Sequence, residues 1–417
     1  MKKNIVNFSL RVLALTLLLG CHPKLRQDSI GDKASSRVTL LISMDGFRND
    51  YLDSFDTPNL DQIAQHGLQA EALIPVFPTK TFPNHYSIVT GLYPEDHGIA
   101  ANKMYDRETD SWFQIGAGSK ATREAYWFEG EPIWVTAKKQ GVKTATLFWP
   151  GSDATPDSLK PDYHFYYDNN FNHADRIAQV LDWLKMPENL RPKLITLYFE
   201  SPDLEGHRFG PFSPETEKAV ERMDAMMGEL MRKIEASDMK GQVNIVITSD
   251  HGMAQLSPDS VIFIDDYIDL QDVMLVQTSP KADIIPAPGK DSMVYFQLKD
   301  AHPHLSVFRK GDEPDRWHYR KHRRITPLIA VADLGWTIML RREFALKQKS
   351  LHGGAHGYDN RNPEMWAVFM ASGPDFKAGQ KMAAFENIEI YNLLCRLLRI
   401  SPATNSGDSS LFIPYLK

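Results

Sequence analysis

The sequence predicts an α/β fold built on a mostly parallel central sheet flanked by helices. Three observations carry this prediction. Short β-branched or aromatic runs recur along the chain, stretches of helical periodicity lie between them, and Asp or His residues stand just beyond several of the runs. Runs that are apolar without strict alternation mark strands buried on both faces, as a parallel sheet covered by helices requires.

The first segment is of another kind. Met1-Lys2-Lys3 supplies positive charge, and the apolar run over 12–19 is too short to span a bilayer but suits the h-region of an export signal. It ends in Leu18-Leu19-Gly20-Cys21, which resembles a bacterial lipobox. The resemblance implies cleavage before Cys21, acylation of its thiol, and an exported protein anchored to a bacterial membrane facing the periplasm or the cell exterior. An ordinary signal followed by a chance cysteine is the alternative. Residues 1–20 thus read as a lipoprotein signal, and 21–37, polar and aperiodic, as a flexible tether to a folded domain over 38–417.

Within that domain VTLLISMD (38–45), KTATLFW (143–149), KLITLYFE (193–200), NIVITSD (244–250) and MWAVFMA (365–371) are the predicted strands. Ile177, Val180, Leu181 and Leu184 share one helical face. Val220, Met223, Met227, Leu230 and Ile234 share another, on a helix opening at Ser213 with Pro214 at its first position. Its methionines are read as core filler, not as a cofactor box. Residues 254–350 read as an elaboration joining His251 to His356, with strands MVYFQL (293–298) and PLIAVA (327–332) between Pro- and Lys-rich loops. Residues 385–399 read as a closing amphipathic helix with Ile388, Tyr391, Leu394, Cys395 and Leu398 inward. Cys21 and Cys395 are the only cysteines, so an acylated Cys21 leaves no disulfide, and Cys395 reads as a packed small hydrophobe.

Composition bounds the function. With 417 residues, 42% hydrophobic and 24% charged, the chain can bury a large core as one big domain or two ordinary ones. A formal net charge of -6 provides no basic stripe and argues against sequence-specific nucleic-acid binding. A small anionic substrate would then need local cations, metal ions among them. No obligate protein partner is evident from the sequence.

Ligands of a parallel sheet sit beyond the carboxyl ends of its strands. There the chain places Asp45 after the first run, Asp203 and His207 after the third, and Asp250-His251 after the fourth. Any one Asp reads equally as a helix cap or turn former. Together they suit a transition metal such as Zn²⁺, for which mixed Asp and His ligation is typical. His356, flanked by Gly353, Gly354 and Gly357, completes the set, with His352 nearby as a decoy. His85, His97 and His318 carry no metal-like context. Thr81, in PTKTFPNHYS (78–87), is open to three readings: a helix cap, a turn filler or a reactive group.

MDGFR (44–48), PTKTFPNHYSIVTGLYPEDHGI (78–99), FWPGSD (148–153), YFESPDLEGH (198–207), SDHGM (249–253) and AHGYDN (355–360) occur in that order. Together they resemble the nucleotide pyrophosphatase/phosphodiesterase family of the alkaline phosphatase superfamily. The resemblance runs from about residue 38 to the C-terminus. It implies an alkaline phosphatase-like fold and two Zn²⁺ per chain. Asp45, Thr81, Asp250 and His251 would hold one ion, and Asp203, His207 and His356 the other. It makes Thr81 the nucleophile, activated by coordination, at the start of a helix whose free N–H groups favour phosphate; a plain N-cap role is compatible with this. Asn102 matches the family's phosphate-holding asparagine, acting with the Phe82 amide. Phe82, Trp149, Asp153, Tyr167 and Tyr198 fall where the family binds the nucleoside, although core packing explains Trp149 and Tyr198 equally well.

The implied activity is hydrolysis of nucleotide phosphodiester or pyrophosphate bonds to nucleoside 5'-monophosphates through a covalent threonine intermediate. Sulfatases of the superfamily carry a modified Cys or Ser before x-Pro-x-Arg, which Thr81-Phe82-Pro83-Asn84-His85 lacks. Alternatives within the superfamily are a phospholipid- or choline-phosphate-releasing diesterase and a phosphomonoesterase. A lipoprotein binding module with a vestigial site is the alternative outside it.

Overall fold

Strand β1 (Val38–Met44) is buried at every position, and its side chains divide between two cores. Leu41 enters one cluster; Val38, Leu40, Ile42 and Met44 enter the other. A strand covered on both faces belongs at the centre of a sheet. In the computed structural model, which describes residues 37–417 apart from Ala117, β1 is such a strand. The export signal, Cys21 and all but the last residue of the tether lie outside the described residues.

Eight strands form the central sheet. Besides β1 they are β2 (Gly67–Ala70), β5 (Thr144–Leu147), β6 (Tyr163–Phe165), β7 (Leu194–Phe199), β8 (Val243–Thr248), β13 (Phe369–Ser372) and β14 (Gln380–Met382). Their order is β14-β2-β13-β8-β1-β7-β5-β6. β1 pairs in parallel with β7 and β8, and β5 with β6 and β7. β13 runs against both its neighbours, β2 and β8. The fold is therefore the α/β, mostly parallel arrangement the sequence predicts.

Helices cover both faces. α2 (Thr81–Thr90), α3 (Ile133–Lys139) and α8 (Ile390–Leu398) pack one side; α1 (Pro58–Gln65), α4 (His173–Lys185) and α6 (Pro214–Glu235) pack the other. The predicted inward positions of α4 and α6 are all buried, the methionines included. Ser213 caps α6, its hydroxyl accepting from the Thr216 N–H. Among the described residues no helix is long and apolar enough to cross a membrane. Cys395 is buried, and burial pushes its thiol up to about 12, which keeps it unreactive.

Three sequence expectations are corrected. MVYFQL is not a strand: residues 291–298 form helix α7 (Asp291–Leu298), with Val294 and Leu298 buried four residues apart while Phe296 is 64% exposed. Its Val, Tyr and Phe suggested a strand, but a run this short is ambiguous and the helical period prevails. MWAVFMA starts its strand only at Phe369, because Pro363–Met365 makes a 3₁₀ turn first. The closing helix begins at Ile390, not 385. Phe385–Glu386 pairs with Leu73–Ile74, and Leu398 is half-buried while Leu393 and Leu397 are buried.

The 254–350 segment builds its own four-stranded sheet from β9 (Val273–Gln277), β10 (Lys281–Pro286), β11 (Leu305–Arg309) and β12 (Leu328–Ala332). This sheet has a separate apolar core including Ile284, Val294, Leu298 and Ala330. A buried ion cluster ties the segment to the hairpin of β3 (Lys103–Asp106) and β4 (Ser111–Gln114). Asp106 accepts from the Tyr126 hydroxyl at 2.6 Å, from Arg323 Nη2 at 3.0 Å and from Arg324 Nε at 3.0 Å. Burial works against its charge, but these hydrogen bonds prevail and hold the carboxyl well below the usual carboxylate range.

Removing one partner of such a cluster strands the others, so Asp106→Ala is expected to cost about 3–5 kcal/mol in urea denaturation. Because the folded-state carboxyl is depressed, its contribution is complete above the ordinary carboxylate range. It fades as the pH falls through the lower folded value. An unchanged unfolding midpoint for Asp106→Ala at neutral pH would contradict this.

Candidate active site

The site is assembled at the carboxyl end of the sheet. Asp45 follows β1, Asp203 opens α5 (Asp203–Phe209) after β7, and Asp250-His251 follows β8. Gly46 lets these loops meet. Its φ is +68°, and a Cβ there would lie 2.9 Å from the Asp203 backbone, so only glycine allows the approach. The Asp203 N–H donates to the Asp45 carbonyl at 3.0 Å, and the Gly46 N–H to Asp250 Oδ1 at 3.1 Å. One turn along α5, His207 brings Nε2 to 3.5 Å from Asp203 Oδ1.

His356 arrives on the glycine loop. Gly357, at φ +112°, leaves room for Lys80, whose Nζ donates to the His356 carbonyl at 2.7 Å. Thr79 locks the same loop: its hydroxyl receives the Gly357 N–H at 2.8 Å, and its carbonyl receives His356 Nδ1–H at 2.7 Å. The residues just before Thr81 are thereby tied to His356.

The histidines show how the site faces. His207, His251 and His356 each turn Nδ1 to a backbone carbonyl, those of Gly354, Gly252 and Thr79, at 2.9, 2.8 and 2.7 Å. A carbonyl only accepts, so each Nδ1 carries a proton, and each Nε2 is turned to the centre, where it can ligate a cation once deprotonated. His207 and His356 Nε2 lie 3.1 Å apart, and His251 Nε2 lies 3.1 Å from Asp250 Oδ2 and 3.5 Å from Asp45 Oδ1.

Among the described residues, Asp45 Oδ1, Asp203 Oδ1 and Asp250 Oδ2 are buried without hydrogen-bond partners. Buried carboxylate oxygens and imidazole lone pairs facing one another need a cation between them. The donor set fits a metal centre. Three overlapping groups bring their donor atoms within 4.8 Å of one another: Asp203-His207-His356, Asp45-Asp203-His251 and Asp45-His85-Asp250. Asp203 belongs to two of them, as a pair of adjacent cation positions requires.

The electrostatics agree. Burial, then the charges of Asp250 and Asp203, pushes the Asp45 carboxyl well above the usual range. Asp250 is driven the other way: burial opposes its charge, but His251 and His85 beside it hold it well below. Burial, with His251, Lys80 and His207 nearby, holds His356 well below the usual histidine range, so it stays neutral and able to ligate.

Thr81 is the first residue of α2, with Lys80 at the N-cap, so the N-cap reading is corrected by one position. Its hydroxyl lies 3.4 Å from His251 Nε2. Asn102 is held by the Phe82 N–H, which donates to Oδ1 at 2.9 Å. The family resemblance assigns that amide to phosphate together with Asn102. The structure instead uses it to fix the Asn102 side chain, which leaves Nδ2 as the donor end.

The expected nucleoside residues divide. Tyr167 is 41% exposed and its N–H donates to Asp153 Oδ2 at 3.2 Å, while Phe82 is half-buried against Phe113. Trp149 is buried, with Nε1 donating to the His85 carbonyl at 3.1 Å. Tyr198 is buried too, with its hydroxyl donating to Asp45 Oδ2 at 2.6 Å. Neither offers a ring face to a base, and the core-packing alternative describes both. His85, which carries no metal-like context in the sequence, belongs to the site as well. It is buried and within 3.3 Å of Asp250 Oδ2. Its sequence signal was its spacing, four residues after Thr81 on one helix.

A mostly parallel α/β sheet whose strand ends converge on clustered Asp and His donors defines an alkaline phosphatase-like fold with a candidate bimetallic site. A family model described as type I phosphodiesterase / nucleotide pyrophosphatase matches residues 39–359, and the chain belongs to that family. Human ectonucleotide pyrophosphatase/phosphodiesterase family member 1 is 40% identical over 381 residues, covering 88% of this chain and 40% of that protein. The Xenopus laevis bis(5'-adenosyl)-triphosphatase enpp4 is 39% identical over 378 residues, covering 90% of this chain and 81% of that protein. The structure of murine ectonucleotide pyrophosphatase/phosphodiesterase 5, an inactive threonine-to-alanine variant in complex with AMP, superposes with a TM-score of 0.85. It is 36% identical, covering 91% of this chain and all of that one.

Purified protein is expected to carry two divalent ions per chain by mass spectrometric metal analysis. Asp203→Asn, which weakens both groups sharing that carboxylate, should lose at least one. Stripping the ions with a chelator should lower the thermal midpoint, since ions bound only by the folded state stabilise it. A midpoint that ignores chelation would count against the metal centre.

Proposed function

We propose that this protein hydrolyses nucleotide phosphodiester or pyrophosphate bonds to nucleoside 5'-monophosphates, with Thr81 as the nucleophile. The observation that carries this reading is the Thr81 hydroxyl at the start of α2, 3.4 Å from His251 Nε2 and beside the converging carboxylates. Asp45, Thr81, Asp250 and His251 would hold one Zn²⁺ and Asp203, His207 and His356 another, together acidifying the hydroxyl and neutralising phosphoryl charge.

The chain's own groups then act in sequence. Thr81 Oγ attacks phosphorus and the leaving oxygen departs, giving a phosphothreonine ester of the nucleotide. Water attacks that ester from the opposite side and frees the monophosphate. Asn102, held in place by the Phe82 N–H, donates from Nδ2 to a non-bridging oxygen. Phe82 and Tyr167 supply faces on which a base can stack, and Asp153 an acceptor at its edge. The AMP complex of the murine relative and the bis(5'-adenosyl)-triphosphatase name of the frog relative support a nucleotide substrate.

A phosphomonoesterase would need a spare guanidinium for the second charge. Arg48 is engaged by Asp50 and by the Met253 carbonyl, and Arg123 leans over Tyr166 toward Asp153. A diester or pyrophosphate therefore fits better. We also read 1–20 as an export signal with acylation at Cys21; radiolabelled palmitate incorporation lost in Cys21→Ala is the expected result.

Thr81→Ala is expected to abolish turnover of the nitrophenyl ester of thymidine 5'-monophosphate while the fold persists. Asn102→Ala should raise the barrier by about 2.7–4 kcal/mol, as removal of an oxyanion donor does. Tested beside nitrophenyl phosphate and nitrophenyl phosphocholine, the thymidine ester should dominate. A higher rate on either of the others would overturn the substrate assignment.

A further inference from the structure

His85 sits in a donor cluster yet cannot serve as a ligand. Its Nε2 is 2.8 Å from Ser43 Oγ; its Nδ1 is 3.0 Å from the Thr81 carbonyl oxygen and 3.3 Å from Asp250 Oδ2. Both oxygens on the Nδ1 side only accept, so the proton is on Nδ1 and Nε2 receives the Ser43 hydroxyl. His207, His251 and His356 open their Nε2 lone pairs to the site, whereas that of His85 is already taken.

The ring is held on two sides. Trp149 and Tyr198 meet it edge-on, with centroids at 5.3 and 5.1 Å and interplanar angles of 79° and 80°. Trp149 also donates to the His85 carbonyl, and Tyr198 donates to Asp45. Ser43 lies two residues before Asp45 on β1. One imidazole therefore touches the first turn of α2, the end of β8 and the strand that delivers Asp45.

We propose that His85 is a positioning residue, fixing the Thr81 backbone and the Asp250 carboxylate relative to each other. Ser43 sets its tautomer, and Trp149 and Tyr198 set its ring plane. The inference rests on Thr81 being the nucleophile. It also gives Trp149 and Tyr198 work unrelated to the nucleoside. Displacing reacting groups by about 1 Å costs on the order of 100-fold in rate, and losing an outer partner of a ligand costs about 10–100-fold in metal affinity.

The test uses the zinc-loaded full chain and the thymidine 5'-monophosphate nitrophenyl ester. His85→Ala is expected to lower kcat about 100-fold with KM within about 3-fold, and to weaken zinc about 10–100-fold against a competing chelator. His85→Asn places an amide N–H near the lost Nδ1 and should recover much of both losses; His85→Gln, which reaches only toward Ser43, should not. Ser43→Ala and Trp149→Phe should lower kcat without raising KM. Wild-type kcat in His85→Ala overturns the proposal, as does an Asn variant no better than Ala in both readouts, which would mark simple packing. If His85→Ala fails to fold, unchanged kcat in both Ser43→Ala and Trp149→Phe overturns it. Full turnover in Thr81→Ala sinks the nucleophile reading itself, whereas inactive Thr81→Ala beside normal His85→Ala sinks this inference alone.

Discussion

Like charges buried together govern this molecule. Asp45, Asp203 and Asp250 stand at the carboxyl edge of one sheet, each with a buried oxygen that accepts no regular hydrogen bond among the described residues. Several kcal/mol per unpaired buried ion is more than the stability of many domains can absorb. A cation is the economical answer, and the surroundings serve it: three imidazoles with tautomers fixed from behind, and a glycine that lets two loops touch. The rest of the fold can be read as a frame holding negative charge where water cannot.

That frame is made by pairing, not by the site. Five parallel strands set the height at which Asp45, Asp203 and Asp250 emerge. The apolar clusters on both faces fix the sheet so that the loops beyond it have little freedom. Charged loops on a rigid base are where reactive geometry is cheapest to maintain. The inserted sheet contributes from outside, through buried Asp106 and the arginines that hold it to the hairpin following Asn102.

Much of this was legible in the sequence. Buried strands announce themselves by apolar runs, and the clustered donors by standing where such runs end or on a glycine-flanked loop, so the convergence of Asp45, Asp203, His207, Asp250, His251 and His356 could be expected from the sequence. What escaped had a physical reason. MVYFQL carries strand-forming residues in a helical period, and only the neighbours that bury Val294 and Leu298 decide between them. Trp149 and Tyr198 lie at strand ends, where one residue of advance separates a pocket wall from a core filler. His85 was passed over because its partners, Ser43 and Asp250, lie 42 and 165 positions away in the chain, and a single helix turn holds no sign of them.

β1 has one further consequence. Its seven residues span roughly 23 Å, with Arg37 at one end and Asp45 at the other. Whatever precedes the fold therefore joins it on the rim opposite the chemistry. A label carried by Arg37 would therefore report on the fold from the far end of β1, without touching the edge where the carboxylates gather.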